Sequence, residues 1–380
     1  MKTITPTISP EQRRALLVAR QLRRARTAVA VTESVLALHA TDPATVYLSV
    51  AARLADPDHA RIENQLYDRT RLLRMTAMRG TLFVAPTALA PVLHASLGRE
   101  YAQARMRILV RHLESEGIGT DWITGATSAL LDALTELGTA TTAELTSAVA
   151  GSDRTFATTT RTRSSLASWL LFILAAEGRI VRADRKGAWT NIQHTWAIAP
   201  EFPPLPTEQA RAELARHWLR TFGPGTAADL KWWTGWKVTE TRKALAAVGT
   251  IPVNLDGTTG FALPEHLDEI PEPEPVAAVL PGLDPTPMGW RHRDFYLDPA
   301  HIPALFDGRG NIGPTLWWRG RIVGGWAQRR DGTIAWHLLT DPGLTARTAI
   351  ATEIDRLTTY LGHRRFTVAY RNPLERTLSA

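Results

Sequence analysis

The sequence contains no cysteine. Structural disulfides, thiolate zinc sites and iron–sulfur clusters are therefore excluded, and a reducing compartment is the natural setting. Long apolar runs are missing too. The longest, residues 169–176, falls well short of the ~18 residues of a membrane span and suits a buried helix. The opening MKTITPTISPEQRR lacks the apolar core of a secretion signal, so a cytoplasmic location is expected. Lysine is scarce: of 44 basic residues only Lys2, Lys186, Lys231, Lys237 and Lys243 are Lys, and Arg supplies the rest. Neither a P-loop nor H-E-x-x-H occurs. Nothing in the sequence calls for a cofactor, and no spacing argues for a metal site.

The chain has 380 residues, 44% of them hydrophobic. It can bury a sizeable core and exceeds one ordinary domain, which points to two or three units or one composite fold. A charged fraction of 21% does not suit a disordered chain. The formal net charge is +7 and the sequence pI is about 10.0. An Arg excess of this kind suits a polyanion, nucleic acid first, because the guanidinium fork grips phosphates and guanine edges in pairs. The competing explanation is a genome that encodes Arg wherever Lys would serve.

A loose repeat runs along the chain as helix, turn, helix, hairpin. The first copy is EQRRALLVARQLRRAR, then TESVLALHA, DPATVYLSVAARLA and RLLRMTAMRGTLFVAP, with Arg79–Gly80 as the hairpin turn. The second begins near Asp121. TTAEL has capping-box spacing, a helix through SSLASWLLFILAAEG stops at Gly178, and RIVRA, DRKG and AWTNI read as strand, turn and strand. The third begins near Glu208, repeats the Thr-x-x-acid start in TAADLKWWTG, stops a helix at Gly249, and closes on IPVNL, DGTTG and FALP. Hairpin ends are expected near Pro86, Ile192 and Pro264. Helix–turn–helix followed by a β-hairpin is the pattern of a winged helix, which places one helix in the major groove and the hairpin on backbone or minor groove. Three ordinary α+β units would share the same outline. Beyond Pro264 the acidic, Pro-rich PEHLDEIPEPEPV reads as a linker. The remainder holds the β-rich segments AAVLPGLD, PTLWWRG, RIVGGWAQR, TIAWHLL and RRFTVAY, with one helix at TARTAIATEIDRLTTYLG. A small sheet or barrel is expected.

Gly308, Gly310 and Gly313 match G-x-G-x-x-G, but Pro314 and an aromatic strand follow where a nucleotide site needs a helix, so they read as a turn. Most of the 13 Trp suit core packing. In the second hairpin Arg182, Arg185 and Lys186 are expected at the tip and Trp189 on the return strand. A cationic tip with an aromatic suits a minor-groove probe, and it equally suits a solvated turn. The sharpest feature is Leu38-His39-Ala40-Thr41-Asp42-Pro43. Pro43 fits the first turn of a helix and Asp42 its N-cap. His39 and Thr41 then lie at a helix junction beside a free helix N-terminus. A hydrogen-bonded core histidine is the plainer reading of His39.

Taken together, LHATDPATVYLSVAARL, LLRMTAMRGTLFVAP, FGPGTAADLKWWTG, LPGLDPTPMGWRHRDFYL and GNIGPTLWWRGRIVGGWAQ resemble the AlkZ/YcaQ family of winged-helix DNA glycosylases, in order and spacing, over nearly the whole chain. The resemblance implies an α+β fold of three tandem winged-helix units with a C-terminal β-rich, barrel-like domain. The units expected are residues 1–118, 119–205, 206–275 and 276–380. It implies monofunctional excision of N7-alkylated purines, some bulky or crosslinked, from double-stranded DNA by a monomer with no membrane role, in repair or antibiotic self-resistance. Where the family carries Gln-x-Gln or Gln-x-Asp, this chain has His39-Ala40-Thr41, so His39 and Thr41 are the candidate catalytic residues. The candidate DNA contacts are Arg79, Arg182, Arg185, Lys186, Trp189, Arg291 and Arg293. No Lys lies near the segment, so a Schiff-base lyase is not suggested. The alternatives are a non-catalytic duplex-binding regulator or lesion sensor on the same scaffold, and a protein-interaction scaffold.

Overall fold

The computed structural model describes residues 5–157, 163–191, 193–267, 274–368 and 371–380. Its contacts divide the chain into two compact units, Met1–Leu66 with Arg211–Ala380, and Tyr67–Ala210. The fold is α+β in both.

In the first unit the local start signals predict the helices well. Ser9 and Gln12 form a capping box for the helix Pro10–Gln21, Thr27 caps Ala28–Ser34, and Asp42 with Pro43 opens Pro43–Arg53. Thr226 and Asp229 close the expected capping box on Ala227–Thr234. The helix Val238–Val248 stops at Gly249, which takes a φ of 73° that a side chain would resist. The hairpin Ile251–Leu255 with Thr258–Ala262 follows. Asp256 (φ 50°) and Gly257 (φ 82°) make its two-residue turn, the left-handed pair whose twist matches that of the strands.

The C-terminal strands Ala277–Leu280, Thr315–Trp318, Arg321–Gln328 and Ile334–Leu338 form one antiparallel sheet in that order. Among the described residues its first and last strands do not pair, so the sheet is open and the expected barrel is not formed. The helices Pro43–Arg53 and Leu344–Leu361 both pack against Ala277–Leu280. The sheet therefore buries its apolar surface against helices and has no need to close on itself. The strand expected in RRFTVAY is absent over residues 364–368. The Gln328 amide takes over the work of a ladder there, accepting from Phe366 N (3.1 Å) and donating to the Arg364 carbonyl (3.0 Å). Residues 369–370 lie outside the described residues, as do 268–273 of the expected linker and Ile192. The G-x-G-x-x-G segment is a turn, with Gly310 at φ 82° and an Asp307 carboxylate that accepts from Arg309 N and Asn311 N.

The tryptophans are largely core. Trp290 meets Phe222 and Phe295 edge-on at centroid distances of 5.3 and 5.1 Å, and Tyr296 stacks on Trp317 at 5.5 Å. Their indole N–H groups are paired inside: Trp290 donates to Phe222 O (2.9 Å), Trp218 to Gly289 O (3.3 Å) and Trp326 to Leu280 O (2.9 Å). Rings of this kind add about 0.5–1.5 kcal/mol per pair beyond the area they bury, and the donors cost nothing once satisfied.

In the second unit, the helix Leu166–Ala176 contains the longest apolar run of the sequence and is buried nearly all round. It packs with Arg99–Ser115 and Asp121–Leu137 around Leu109, Leu130, Leu134 and Leu170. The predicted capping box is present, Glu144 N donating to Thr141 Oγ1 and Thr141 N to Glu144 Oε2. The hairpins Leu72–Thr76 with Leu82–Pro86 and Ile180–Arg185 with His194–Ile198 join through Arg74 and Arg182 into one antiparallel sheet. The first hairpin ends at Pro86 as expected. The second returns on His194–Ile198 rather than on AWTNI, because residues 186–191 fold into a turn held by Asn191, whose amide donates to Lys186 O (2.6 Å). Among the described residues no helix is long and apolar enough to cross a membrane, and no group of three His, Asp or Glu could hold a metal ion.

Candidate active site

After the helix Ala28–Ser34 the chain turns on Leu36, which adopts a left-handed φ of 69°. A branched residue there costs about 1 kcal/mol, and the surrounding burial from Val35 to Ala40 holds it in place. The chain leaves this turn extended, so that His39 is 8% exposed, Thr41 is exposed and Asp42 is half-buried. Asp42 accepts from Ala44 N (3.0 Å), as the N-cap reading predicted. Burial pushes its carboxyl up, against the backbone N–H groups of Ala44 and Thr45.

The helix that follows is bolted at both ends to LPGLDPTP. Near its start Thr45 Oγ1 donates to Gly282 O (2.9 Å). At its end Arg53 grips Asp284 with two bonds of 2.8 and 2.7 Å, and donates as well to Thr286 Oγ1, Ser49 O and Gln21 O. Arg53 and Asp284 are both buried. Two of the segments that carry the family resemblance are therefore one mechanical part: LPGLDPTP holds the helix whose N-terminus presents His39 to Asp42. Catalytic geometry needs such a supporting shell.

One acidic neighbour was not legible in the sequence. Glu375, from the helix Pro373–Leu378, is 5% exposed, and its Oε2 has no hydrogen-bond partner among the described residues. Burial pushes its carboxyl up to about 7, Asp42 adds to the rise, and Arg371, the Asn372 backbone and Arg376 oppose it. A carboxyl protonated in the folded chain and ionised in the unfolded one weakens the fold as pH climbs from the unfolded value near 4.5 to about 7. Glu375→Gln should therefore melt higher than the parent at pH 8, by at most roughly 3 kcal/mol of stability, and at nearly the same temperature at pH 5. Melting curves at the two pH values check this; a variant less stable at pH 8 than at pH 5 relative to its parent would show that Glu375 is ionised in the fold.

Arg291 and Arg293 belong to the same unit. Asp229 is fully buried and accepts from Arg291 N (2.9 Å), His292 N (2.8 Å), Thr226 N (3.0 Å) and Thr226 Oγ1 (2.8 Å). That carboxylate welds the helix Ala227–Thr234 to the MGWRHRDFYL loop and leaves Arg291 and His292 exposed. Arg293 instead lies over Trp232 and Phe306, 4.9 and 5.1 Å from the ring centres, where it braces the loop.

Arg79, Arg182, Arg185, Lys186 and Trp189 lie in the second unit. Arg79 is exposed at a turn whose Gly80 packs on Tyr101. Arg182 is not at the hairpin tip: it sits within the strand, 3.6 Å from the centre of the Trp196 ring, and burial lowers its guanidinium to about 10. Arg185 ends the strand opposite His194. Trp189 is buried in the turn, not on a return strand. Only Lys186 fits the expected exposed tip. The alternation of the strand decides this, since residues two apart share a face and the sequence did not show which face was covered.

A family model described as "DNA glycosylase AlkZ-like" matches residues 32–360. Among solved structures, the fold is similar to that of the Streptomyces sahachiroi DNA glycosylase AlkZ, with a TM-score of 0.76 and 22% sequence identity over 95% of this chain and 99% of that one. No curated protein matches the sequence.

Proposed function

The chain belongs to the AlkZ-like family of DNA glycosylases, and from that premise we propose that it releases N7-alkylated purines from double-stranded DNA as a monofunctional, monomeric, cytoplasmic enzyme. The observation that carries the proposal is the junction itself. His39-Ala40-Thr41, the segment that the resemblance matches to the family's catalytic motif, lies between a strained turn and a helix clamped by LPGLDPTP. Alkylation at N7 makes the purine a cation, and it departs as a neutral base without a proton from the enzyme. The enzyme has to stabilise an oxocarbenium-like sugar and hold a water against C1′. A neutral His39 imidazole holds that water and takes its proton, and the exposed Thr41 hydroxyl orients it. The N-terminus of Pro43–Arg53 is positive and by itself opposes a cationic sugar; the Asp42 carboxylate at its cap offsets that charge.

Each helix, helix, hairpin succession is read as a winged helix, within residues 1–118, 119–205 and 206–275, with residues 276–380 as a β-rich companion. Arg79, Lys186 and Arg291 are the candidate phosphate contacts whose exposure suits that role. A bulky or crosslinked adduct, and self-resistance to an alkylating antibiotic, extend the same chemistry. The test is single-turnover base release from duplexes carrying N7-methylguanine or a bulky N7-guanine adduct. Release of either, with an abasic strand left uncut, is expected. The replacement of the family's Gln-x-Gln by His-Ala-Thr favours a second reading, a lesion sensor that has lost the chemistry. Tight binding to both adducts with no release from either would establish it.

A further inference from the structure

The turn at residues 329–331 and the helix Pro373–Leu378 enclose an open cleft of about 640 Å³, lined by Arg329, Arg330, Asp331, Arg371, Arg376 and Ser379. Four guanidiniums line one cavity. Their local bonds go mostly to neutral groups. Arg329 Nε donates to Leu378 O (3.1 Å), Arg376 donates through Nε and Nη2 to Arg371 O (3.0 and 2.9 Å), and Arg371 donates to Ser379 Oγ (2.6 Å). These bonds orient the forks and stiffen the last turn of the helix without cancelling the charge. Glu375 lies only 3.9 Å from Arg371, but its raised carboxyl is a weak counter-charge. Asp331, whose carboxylate accepts from Thr333 N and Thr333 Oγ1 (2.9 and 2.8 Å), keeps its charge, so it offsets one of the four guanidiniums and leaves the cleft cationic. Arg330 is exposed and makes no hydrogen bond or ion pair with any described residue. Helix capping accounts for Arg329 and Arg376 but leaves Arg330 without a structural task. Like charges gathered this closely repel, and an anion with several oxygens relieves that repulsion while meeting the unused N–H donors in pairs.

We infer that this cleft is a binding site for the phosphodiester backbone of duplex DNA. The inference rests on the glycosylase reading above and adds a second place where the strand is held. Its position fits: Arg371, just before the helix Pro373–Leu378, and Arg376 within it bracket Glu375, and the Asp42 charge beside the His39 segment reaches that carboxyl. Phosphates held in the cleft would steady the duplex at a second place.

The test is anisotropy titration of a fluorescent undamaged duplex over a range of NaCl concentrations, with the parent chain, Arg330→Glu and Arg347→Glu. Arg347 lies outside the cleft and already pairs with Asp341, so its reversal makes the same change in net charge without touching the site. Arg330→Glu should weaken binding at least about fivefold more than Arg347→Glu, and should lower the slope of log affinity against log salt by about 0.9 for each phosphate that the variant no longer neutralises. Equal weakening by the two variants, with base release intact in the parent, would overturn the cleft and leave the glycosylase reading standing. A parent chain with no duplex affinity at low salt would overturn both. Thermal stabilisation of the parent by inorganic pyrophosphate that Arg330→Glu loses, with duplex affinity unchanged, would assign the cleft to small free phosphates and overturn the duplex site.

Discussion

His39→Ala is expected to slow single-turnover base release by roughly 10²–10⁴-fold, the range typical of losing a positioned general base, while duplex affinity and melting temperature stay close to those of the parent. The expectation comes from the position of the side chain. Under the proposed function His39 stands for the first catalytic residue of the family motif, and it lies at the end of an extended segment that leads into a clamped helix, not on an apolar helix face. Thr41→Ala should cost less, because an exposed hydroxyl can only orient water. His39→Gln, which restores the side chain the family carries, should keep most of the activity that alanine loses. If His39 is instead a packing residue, alanine lowers the melting temperature and activity falls only with the folded fraction. Excision and melting measured side by side separate the two; a stable His39→Ala variant with parental excision ends the catalytic assignment.

Asp284→Ala should be the most damaging substitution for stability, at about 3–5 kcal/mol, because it strands the buried Arg53 guanidinium without its carboxylate. Two bonds to Asp284 vanish and the desolvated charge remains. The double replacement Arg53→Met with Asp284→Leu removes both charges and should recover most of the loss. Urea unfolding followed by tryptophan fluorescence reads the effect directly, since Trp218, Trp290 and Trp317 lie in the same unit as the pair. A single variant within about 1 kcal/mol of the parent would mean that water reaches Arg53. Activity should fall in the single variant beyond the loss of folded protein, because the same clamp sets the helix that carries Asp42.

Local chemistry was legible from residues close in the chain. The capping boxes at Thr141 and Thr226, the N-cap at Asp42 and the stops at Gly178 and Gly249 all depend on residues within four positions of one another, and they form as read. The first and third hairpins end where their turn residues placed them. The second did not, because its return strand depends on how Asn191 folds the intervening turn. The barrel failed for a similar reason. Alternating β-segments reveal strands, but closure depends on whether helices arrive to cover the sheet.

What the sequence determined alone is the chemistry available: no thiol, few lysines, an Arg excess, and a His-Ala-Thr segment next to a helix start. Tertiary structure decided which of those groups meet. Arg53 finds Asp284, Glu375 comes within electrostatic reach of Asp42, and Asp229 ties Thr226 to Arg291 across separations that no local pattern encodes. Tertiary structure also decided which cations stay exposed. Arg182 packs on Trp196, whereas Arg330 keeps its donors for solvent or a ligand. The physical reason is the same in each case. A charge costs little in water and a great deal when buried unpaired, so its role is set by burial and by its partner, and both come from parts of the chain far away in sequence.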